Sequence, residues 1–314
     1  MSTVTVRQLR ESELDAADCV FRLAFGTFLG LADPLRFAEG ADLVRGRWRA
    51  APESAFAAEL RGELIGSNFA TCWGSVGFFG PLTVHPDRQE QGVGKQLVEA
   101  AVEAFERWQV GHAGLFTFPH SPKHVGLYQR FGFWPRFLTA LTTKAVAGGT
   151  GGTEAVRYST LSPAEQDEAI TACRAVTDAV YGGLDVSREI VALAQQGTGD
   201  TLLVHDDSGL AGFAACHVGP GSEAQSGRLY VKFAAARPGP RAGERFERLL
   251  AACESFAHER GAASVEAGVN LAREDAYRRL VGLGYRTERQ GVTMHRPNDA
   301  GYSRGDVYVV DDWR

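Results

Sequence analysis

The residues of this chain with the clearest chemical potential lie in one stretch, Leu82-Thr83-Val84-His85-Pro86-Asp87-Arg88-Gln89-Glu90-Gln91-Gly92-Val93-Gly94-Lys95. A strand ends there, Pro86 stops it, and a glycine-containing turn leads straight into a helix. Gly92 and Gly94 lack Cβ, so the backbone can curl and come close to a ligand. Successive main-chain N–H groups then converge at a helix N-terminus carrying about half a positive charge. Such a cradle suits a phosphate or pyrophosphate. Two other phosphate patterns are excluded. No Gly-Lys-Ser/Thr follows a first glycine at the P-loop spacing, and the third glycine of the dinucleotide fingerprint is missing. On these residues alone, a plain strand-to-helix turn with a glycine start competes with the phosphate reading.

The elements that must hold this turn can be read around it. Val4 to Arg7 alternates as a short strand, and Glu11 to Phe28 has the apolar spacing of a helix. A second helix falls within Pro34 to Trp48. Ala55 to Leu60 and Glu63 to Trp73 form a hairpin around Arg61-Gly62. Val76 to Val84 reads as one further strand. From Val93 to Trp108 the stripe Val93, Leu97, Val98, Ala101, Val102, Phe105 and Trp108 marks a strong amphipathic helix. A strand from Ala113 to Phe118, a short helix from His124 to Phe131 and a last strand from Trp134 to Lys144 follow.

The chain has 314 residues, which suggests two domains. Gly148-Gly149-Thr150-Gly151-Gly152 reads as a linker near its middle. The halves echo one another. Val6-Arg7 returns as Val156-Arg157, Phe69-Ala70-Thr71-Cys72 as Phe213-Ala214-Ala215-Cys216, Gly94 as Gly243 and Tyr128 as Tyr277, all in the same order. A duplicated α/β unit explains this, with a mixed α+β sheet in each copy. The expected boundaries are 1–146, linker 147–153, and 154–314.

In this context the first half resembles the GNAT superfamily of acyl-CoA N-acyltransferases. Its signature, Gln/Arg-x-x-Gly-x-Gly/Ala, fits Gln89-Glu90-Gln91-Gly92-Val93-Gly94. The element order and a closing Tyr-x-x-x-Gly-Phe, here Tyr128 to Phe133, also agree. The resemblance covers about residues 4–144 and more loosely 155–297. It implies two tandem GNAT-type domains, with the first catalytic. It also implies acetyl-CoA as acyl donor, no metal, and transfer to an amine in a ternary complex. Pantetheine would pair with the backbone of Leu82, Thr83 and Val84, and the amide of Val84 or a neighbour would face the thioester oxygen. Amides from Gln89 and from Gln91, Gly92, Val93, Gly94 and Lys95 would hold the pyrophosphate, with charge added by Lys95. Ser121 stands where many relatives carry Asn, which alters that cofactor contact.

Tyr128 is the expected general acid, because the leaving thiolate needs a proton or a hydrogen bond and a phenol can supply either. The base is less defined. Some relatives place a carboxylate on the fourth strand, but Gly77-Phe78-Phe79-Gly80-Pro81-Leu82 is apolar. His120 has a suitable intrinsic pKa, with His85 and Glu63 as lesser candidates. The acceptor would meet an apolar wall of Phe25, Phe28, Leu29, Leu31, Phe37 and Trp73, and Asp33, Glu39 and Asp42 could attract a cation.

In the second half, Arg241 replaces the first motif glycine, and Pro238 and Pro240 remove amides from the corresponding turn. That half is expected to be degenerate in cofactor binding. It would buttress the first, shape its acceptor pocket, or mediate homodimerisation. The tail Asp306 to Val310 reads as an added edge strand or an arm across the other domain. A small-molecule amine is the leading acceptor. A non-catalytic acyl-CoA sensor and a protein lysine or N-terminal acetyltransferase are the alternatives.

Composition sets outer limits. The formal net charge of −5 disfavours nucleic acid as a partner and mildly favours a cationic acceptor. No apolar run approaches the roughly 20 residues of a membrane helix, and the start lacks a signal-peptide pattern, so a cytoplasmic protein is expected. Cys19, Cys72, Cys173, Cys216 and Cys253 lack metal or redox spacing and are expected as buried, reduced thiols.

Overall fold

The computed structural model describes residues 4–146 and 154–314; the Gly-rich segment 147–153 lies outside the described residues. In the first half the chain forms β1 (Thr5–Gln8), α1 (Leu14–Phe28), α2 (Leu43–Ala50), β2 (Ala55–Leu60), β3 (Glu63–Trp73), β4 (Val76–Phe79), β5 (Thr83–Val84), α3 (Val93–Arg107), β6 (His112–Thr117), α4 (Pro122–Gln129) and β7 (Trp134–Ala145). The second half repeats this order as β8 (Val156–Arg157), α5 (Pro163–Val180), α6 (Ser187–Gln196), β9 (Gly199–Asp206), β10 (Gly209–Val218), β11 (Arg228–Ala236), α7 (Ala242–Glu259), β12 (Ser264–Asn270), α8 (Glu274–Gly282) and β13 (Arg286–Arg296). A two-residue strand, β14 (Val309–Val310), follows. The duplication read in the sequence is therefore a duplication of structure.

All strands belong to one mixed sheet, whose main path runs β1-β2-β3-β4-β6-β13-β7-β12-β11-β10-β9-β8. Its centre shows an exchange. The last strand of the second half, β13, lies between β6 and β7 of the first, with Val292 opposite both Thr117 and Leu138. The last strand of the first half, β7, pairs in turn with β12, Ala140 facing Val269. Each copy thus completes the other's sheet. Local sequence pattern is silent on this, because a strand's alternation fixes its faces but not its neighbour.

Amphipathic α3 lays its predicted stripe on one face of the first half. Val93, Leu97, Val98, Ala101 and Phe105 pack there with Ile65, Leu115, Phe133 and the exchanged Val292 and Met294. Helix α7 does the same for the second half through Phe246, Leu249, Leu250, Cys253 and Phe256. On the opposite face the copies share a core in which Trp73, Val76 and Phe78 meet Phe213, Phe233, Tyr302 and Trp313.

The strand expected from Val76 to Val84 is interrupted. β4 pairs parallel with β6 only over Val76–Phe78, and β5 pairs separately with β3 at Gly66 and Ser67. Between them Gly80 takes φ +152°, and Pro81 has no N–H to continue a ladder. The thiols also depart from expectation. All five are free, but only Cys173, Cys216 and Cys253 are buried; Cys19 is exposed and Cys72 half-buried. Cys19 sits on the outer face of α1, where packing makes no demand. Among the described residues no helix is long and apolar enough to cross a membrane.

After β13 the tail threads across both halves. Val309 and Val310 pair with Ala235 and Ala234 of β11. The chain then runs over the sheet, with Asp312 against Gly268 of β12, Trp313 against Gly114 of β6, and the Arg314 main chain beside Gly80. It is both a short added strand and an arm reaching the other copy.

Candidate active site

One cavity of about 1300 Å³ opens where β4 and β6 part. Its lining includes Gln89, Gly92, Val93, Gly94 and Lys95 at one end, Leu82, Val84 and Tyr128 in the middle, and Phe25, Phe28 and Phe37 on a wall. It brings together most of the residues that the sequence singled out.

The cradle has the expected form. Gly92 stands at the N-cap of α3 with φ +77°, and a Cβ there would meet nothing within 4 Å. Glu90, just before it, also has a positive φ of 64°, so the turn is tightly curled. Among the described residues the amides of Gln91 to Lys95 have no main-chain partner outside α3, and the first turn of a helix leaves its N–H groups unsatisfied. Gly94 is less constrained, since an added Cβ would make ordinary contact with Leu127 at 3.6 Å. Gln91 is exposed at the rim. Gln89 turns its side-chain amide toward the Val84 carbonyl at 3.5 Å.

Lys123 joins the site without any local sequence signal. From the start of α4 its ammonium donates to Gln89 Oε1 at 3.1 Å and approaches Glu90 at 3.4 Å. With Arg88, Lys95 and Arg130 it adds positive charge around the amides. Only the fold shows this, because it brings α4 beside a turn more than thirty residues earlier in the chain.

In the middle of the cavity, β5 is hydrogen-bonded to β3 on one edge. Leu82 and Val84 face the cavity, whereas Thr83 is buried and its hydroxyl meets that of Ser67 at 3.0 Å. Thr83 can offer only its backbone. Tyr128 is buried, lines the cavity and packs against Phe79 at 5.8 Å. Burial pushes its phenol well above the usual range, only partly offset by a hydrogen bond with Thr117, so it stays protonated at any neutral pH. Ser121 caps α4, its hydroxyl accepting from the His124 amide at 3.4 Å.

His120 is exposed at the mouth, its ring stacked on Phe28 at 6.0 Å. His124, one turn further in, meets the edge of the same Phe28 at 4.9 Å, and burial lowers its pKa. His85 instead accepts from the Asp87 amide at 3.3 Å as a turn cap, and Glu63 lies 3.8 Å from Arg88; neither lines the cavity.

The expected apolar wall is mostly present, but Trp73 is buried in the core between the halves and Leu31 lies off the cavity. Asp33 and Asp42 cap turns and Glu39 pairs with Arg36, so none of the three lines the site. The second half supplies that side. Its 219–227 loop docks on the α1–α2 loop, with the Asp42 amide donating to the Ser222 carbonyl at 2.7 Å. Glu223, Tyr230, Glu266 and Arg314 thereby line the cavity. Arg47 of α2 fixes the junction, donating to the Gly80 carbonyl at 2.5 Å and pairing with Glu223 at 2.8 Å. Lys232 lies 2.5 Å from Glu223 and 2.8 Å from Glu189. Glu189, His217 and Glu223 could geometrically hold a metal, yet the ammonium of Lys232 already sits between the two carboxylates.

The corresponding groove of the second half is filled by its own chain. The Arg279 guanidinium lies where a Cβ on Gly243 would be, and Arg245 donates to the Arg237 carbonyl at 3.4 Å. β14 occupies the edge of β11 that matches β5 and its flanks. Tyr277, the counterpart of Tyr128, is engaged with Thr287 at 3.3 Å.

Residues 21–133 match the profile of the acetyltransferase (GNAT) family. No curated protein matches the chain. Among solved structures, a Pyrococcus horikoshii protein provisionally named an acetyltransferase superposes with a TM-score of 0.68 at 16% identity, covering 99% of this chain and 95% of its own. A GCN5-related N-acetyltransferase from Kribbella flavida reaches 0.54 at 16% identity, covering 94% of this chain and 71% of its own. One from Sphaerobacter thermophilus reaches 0.54 at 15% identity, covering 93% and 95%. Likeness at this level shows a shared fold that spans both halves.

Proposed function

Through residues 21–133 the chain belongs to the acetyltransferase (GNAT) family, and from that premise we propose that it moves an acetyl group from acetyl-CoA to a primary amine of a small molecule. The observation that carries this reading is a single cavity joining the free amides of 92–95, Leu82 and Val84 of the β5 stretch, and the buried phenol of Tyr128.

In this reading the amide cradle and its surrounding cations hold the pyrophosphate, and pantetheine runs along Leu82, Thr83 and Val84. The neutral amine nitrogen attacks the thioester carbon. A C–N bond forms, the carbonyl electrons move to oxygen beside a β5 amide, and the tetrahedral species then expels sulfur. Tyr128 donates a hydrogen bond to the departing thiolate. Its phenol is a weaker acid than a thiol, so stabilisation of the thiolate counts for more than full proton transfer. His120, held against Phe28 at the mouth, takes the proton that the ammonium form must lose before attack, and the proton that the new C–N bond leaves on nitrogen ends on the departed sulfur, giving the free CoA thiol. The second half binds no cofactor of its own; it encloses the acceptor end, which favours a small amine over a protein chain. The protein needs no nucleic-acid or membrane partner.

The test is an amine-library screen following free CoA thiol, repeated with Tyr128→Phe. Loss of turnover by about 10²-fold or more with unchanged acetyl-CoA affinity supports the assignment. CoA binding without thiol release for any amine would leave only a sensor.

A further inference from the structure

The acceptor end of the cavity holds a feature that the proposed transfer does not use. Glu266 is buried on β12, on the face away from Val265 and Ala267, and lines the cavity. A buried carboxylate is strongly unfavourable unless paired. Its partner is the guanidinium of Arg314, at 2.5 Å, with Arg228 more distant at 3.5 Å. The same guanidinium lies over the ring of Tyr230, 4.2 Å from its centroid, well inside cation–π range. Asp312 closes the third side. Its Oδ1 accepts from the Tyr230 hydroxyl at 3.1 Å. Its Oδ2 is 3.0 Å from Arg314 Nε but has no well-directed hydrogen bond, although the side chain is 1% exposed. Two carboxylates and an aromatic face thus surround one cation, with accepting capacity left over.

The occupant also has a direction. The main-chain carbon of Arg314 comes within 3.9 Å of the Cβ position of Gly80, and its oxygen accepts from Arg47. Gly80 marks the break between β4 and β5, beside the strand proposed to carry the thioester. Arg314 therefore runs from the reaction end to the cage over the three methylenes of its own stem. Glu223, also on the cavity, is already matched by Arg47 and Lys232 and has no comparable role.

We propose that Glu266, Asp312 and Tyr230 form a cation subsite of the acceptor pocket, held in this structure by Arg314, and that the acceptor is a dicationic amine. Its reacting nitrogen lies near Gly80, and its second cation replaces the guanidinium across a stem of about three to four methylenes. This deepens the proposed transfer and rests on it. Linear diamines and amines with a basic side chain fit; monoamines fill only the reaction end.

The test compares 1,4-diaminobutane with 1-aminobutane, by thiol release with acetyl-CoA and by calorimetric binding in the presence of CoA. In the wild-type protein kcat/KM is expected to favour the diamine by about tenfold or more, the value of one modest ion pair. Glu266→Gln keeps a hydrogen-bonding group for Arg314 and is expected to bring that ratio near one. Arg314→Ala empties the cage and is expected to tighten diamine binding several-fold. Opposite effects of the two variants distinguish a ligand site from a merely structural pair, whose loss would weaken binding in both. Turnover without diamine preference overturns the subsite and leaves the transfer standing. Diamine binding that depends on Glu266, without turnover, keeps the subsite and removes the transfer. Failure of the diamine to bind overturns the subsite.

Discussion

The indole of Trp313 lies directly on Gly114, where a Cβ would fall 2.0 Å from its Cζ3. Trp313 is itself fixed from other sides, parallel to Phe78 at 6.3 Å and donating through Nε1 to the Tyr302 hydroxyl at 3.0 Å. The glycine is the footing on which the tail crosses from one copy to the other. Gly114→Ala is expected to lower stability by about 1–3 kcal/mol through overpacking. It should also make the tail more open to limited proteolysis. An unchanged melting temperature would show that the indole does not rest there.

The exchange of β7 and β13 makes a second expectation. Residues 4–146 alone would lack the strand that pairs with both β6 and β7, and would leave β7 without β12. An open apolar edge of that kind aggregates. Expressed singly, 4–146 and 154–314 are expected to be insoluble or molten. Expressed together, they should copurify as one folded complex. Two independently folded, soluble halves would contradict the exchange.

How far the sequence carried depended on whether each feature was local. The hairpin at Ala55–Leu60 and Glu63–Trp73, the stripe of α3 and the turn at Gly92 are written in neighbouring residues, and each lies in the structure where the sequence puts it. The strand break at Gly80-Pro81 is also written in neighbouring residues, but the apolar run from Val76 to Val84 masks it. The exchange of β7 with β13 and the arrival of Glu266 and Arg314 beside Gly80 have no local signature. They follow from which strand edges meet, and each joins residues far apart in the chain. Asp33, Glu39 and Asp42 mislead for the related reason that their carboxylates serve nearby caps and pairs.

The cradle can be tested without an acceptor. In wild-type protein, acetyl-CoA at a hundred times its dissociation constant should add about 2.7 kcal/mol of stability, seen as a rise in melting temperature. Gly92→Arg forces a side chain onto φ +77° and into the phosphate approach, and should abolish that rise. Gly94→Ala, where the added methyl meets Leu127 only at ordinary distance, should keep most of it. Lys123→Ala should weaken binding more at low salt than at high salt, as expected of a screened cation. Undiminished stabilisation in Gly92→Arg would remove the cradle from the cofactor site.

A buried histidine pair makes stability depend on pH. His112 Nε2 and His295 Nδ1 lie 3.2 Å apart beneath Trp313, and His295 Nδ1 also meets the Asp299 carbonyl at 3.0 Å. Burial, with the neighbouring His112, holds His295 down to about 3, and burial lowers His112 as well despite Asp299. The folded chain therefore refuses protons that the unfolded chain accepts near pH 6.5. The stability linked to these histidines is fully present above pH 6.5. It is lost progressively as the pH falls from there toward 3, by an amount on the order of a few kcal/mol for His295. Between pH 8 and 5 the carboxylates with lowered pKa values remain ionised in both states, so the histidines dominate that window. The melting temperature of wild-type protein should fall on acidification across it, and His295→Gln should flatten the slope whatever its effect at pH 8. Parallel curves for the two proteins would show that the pair does not set the acid response.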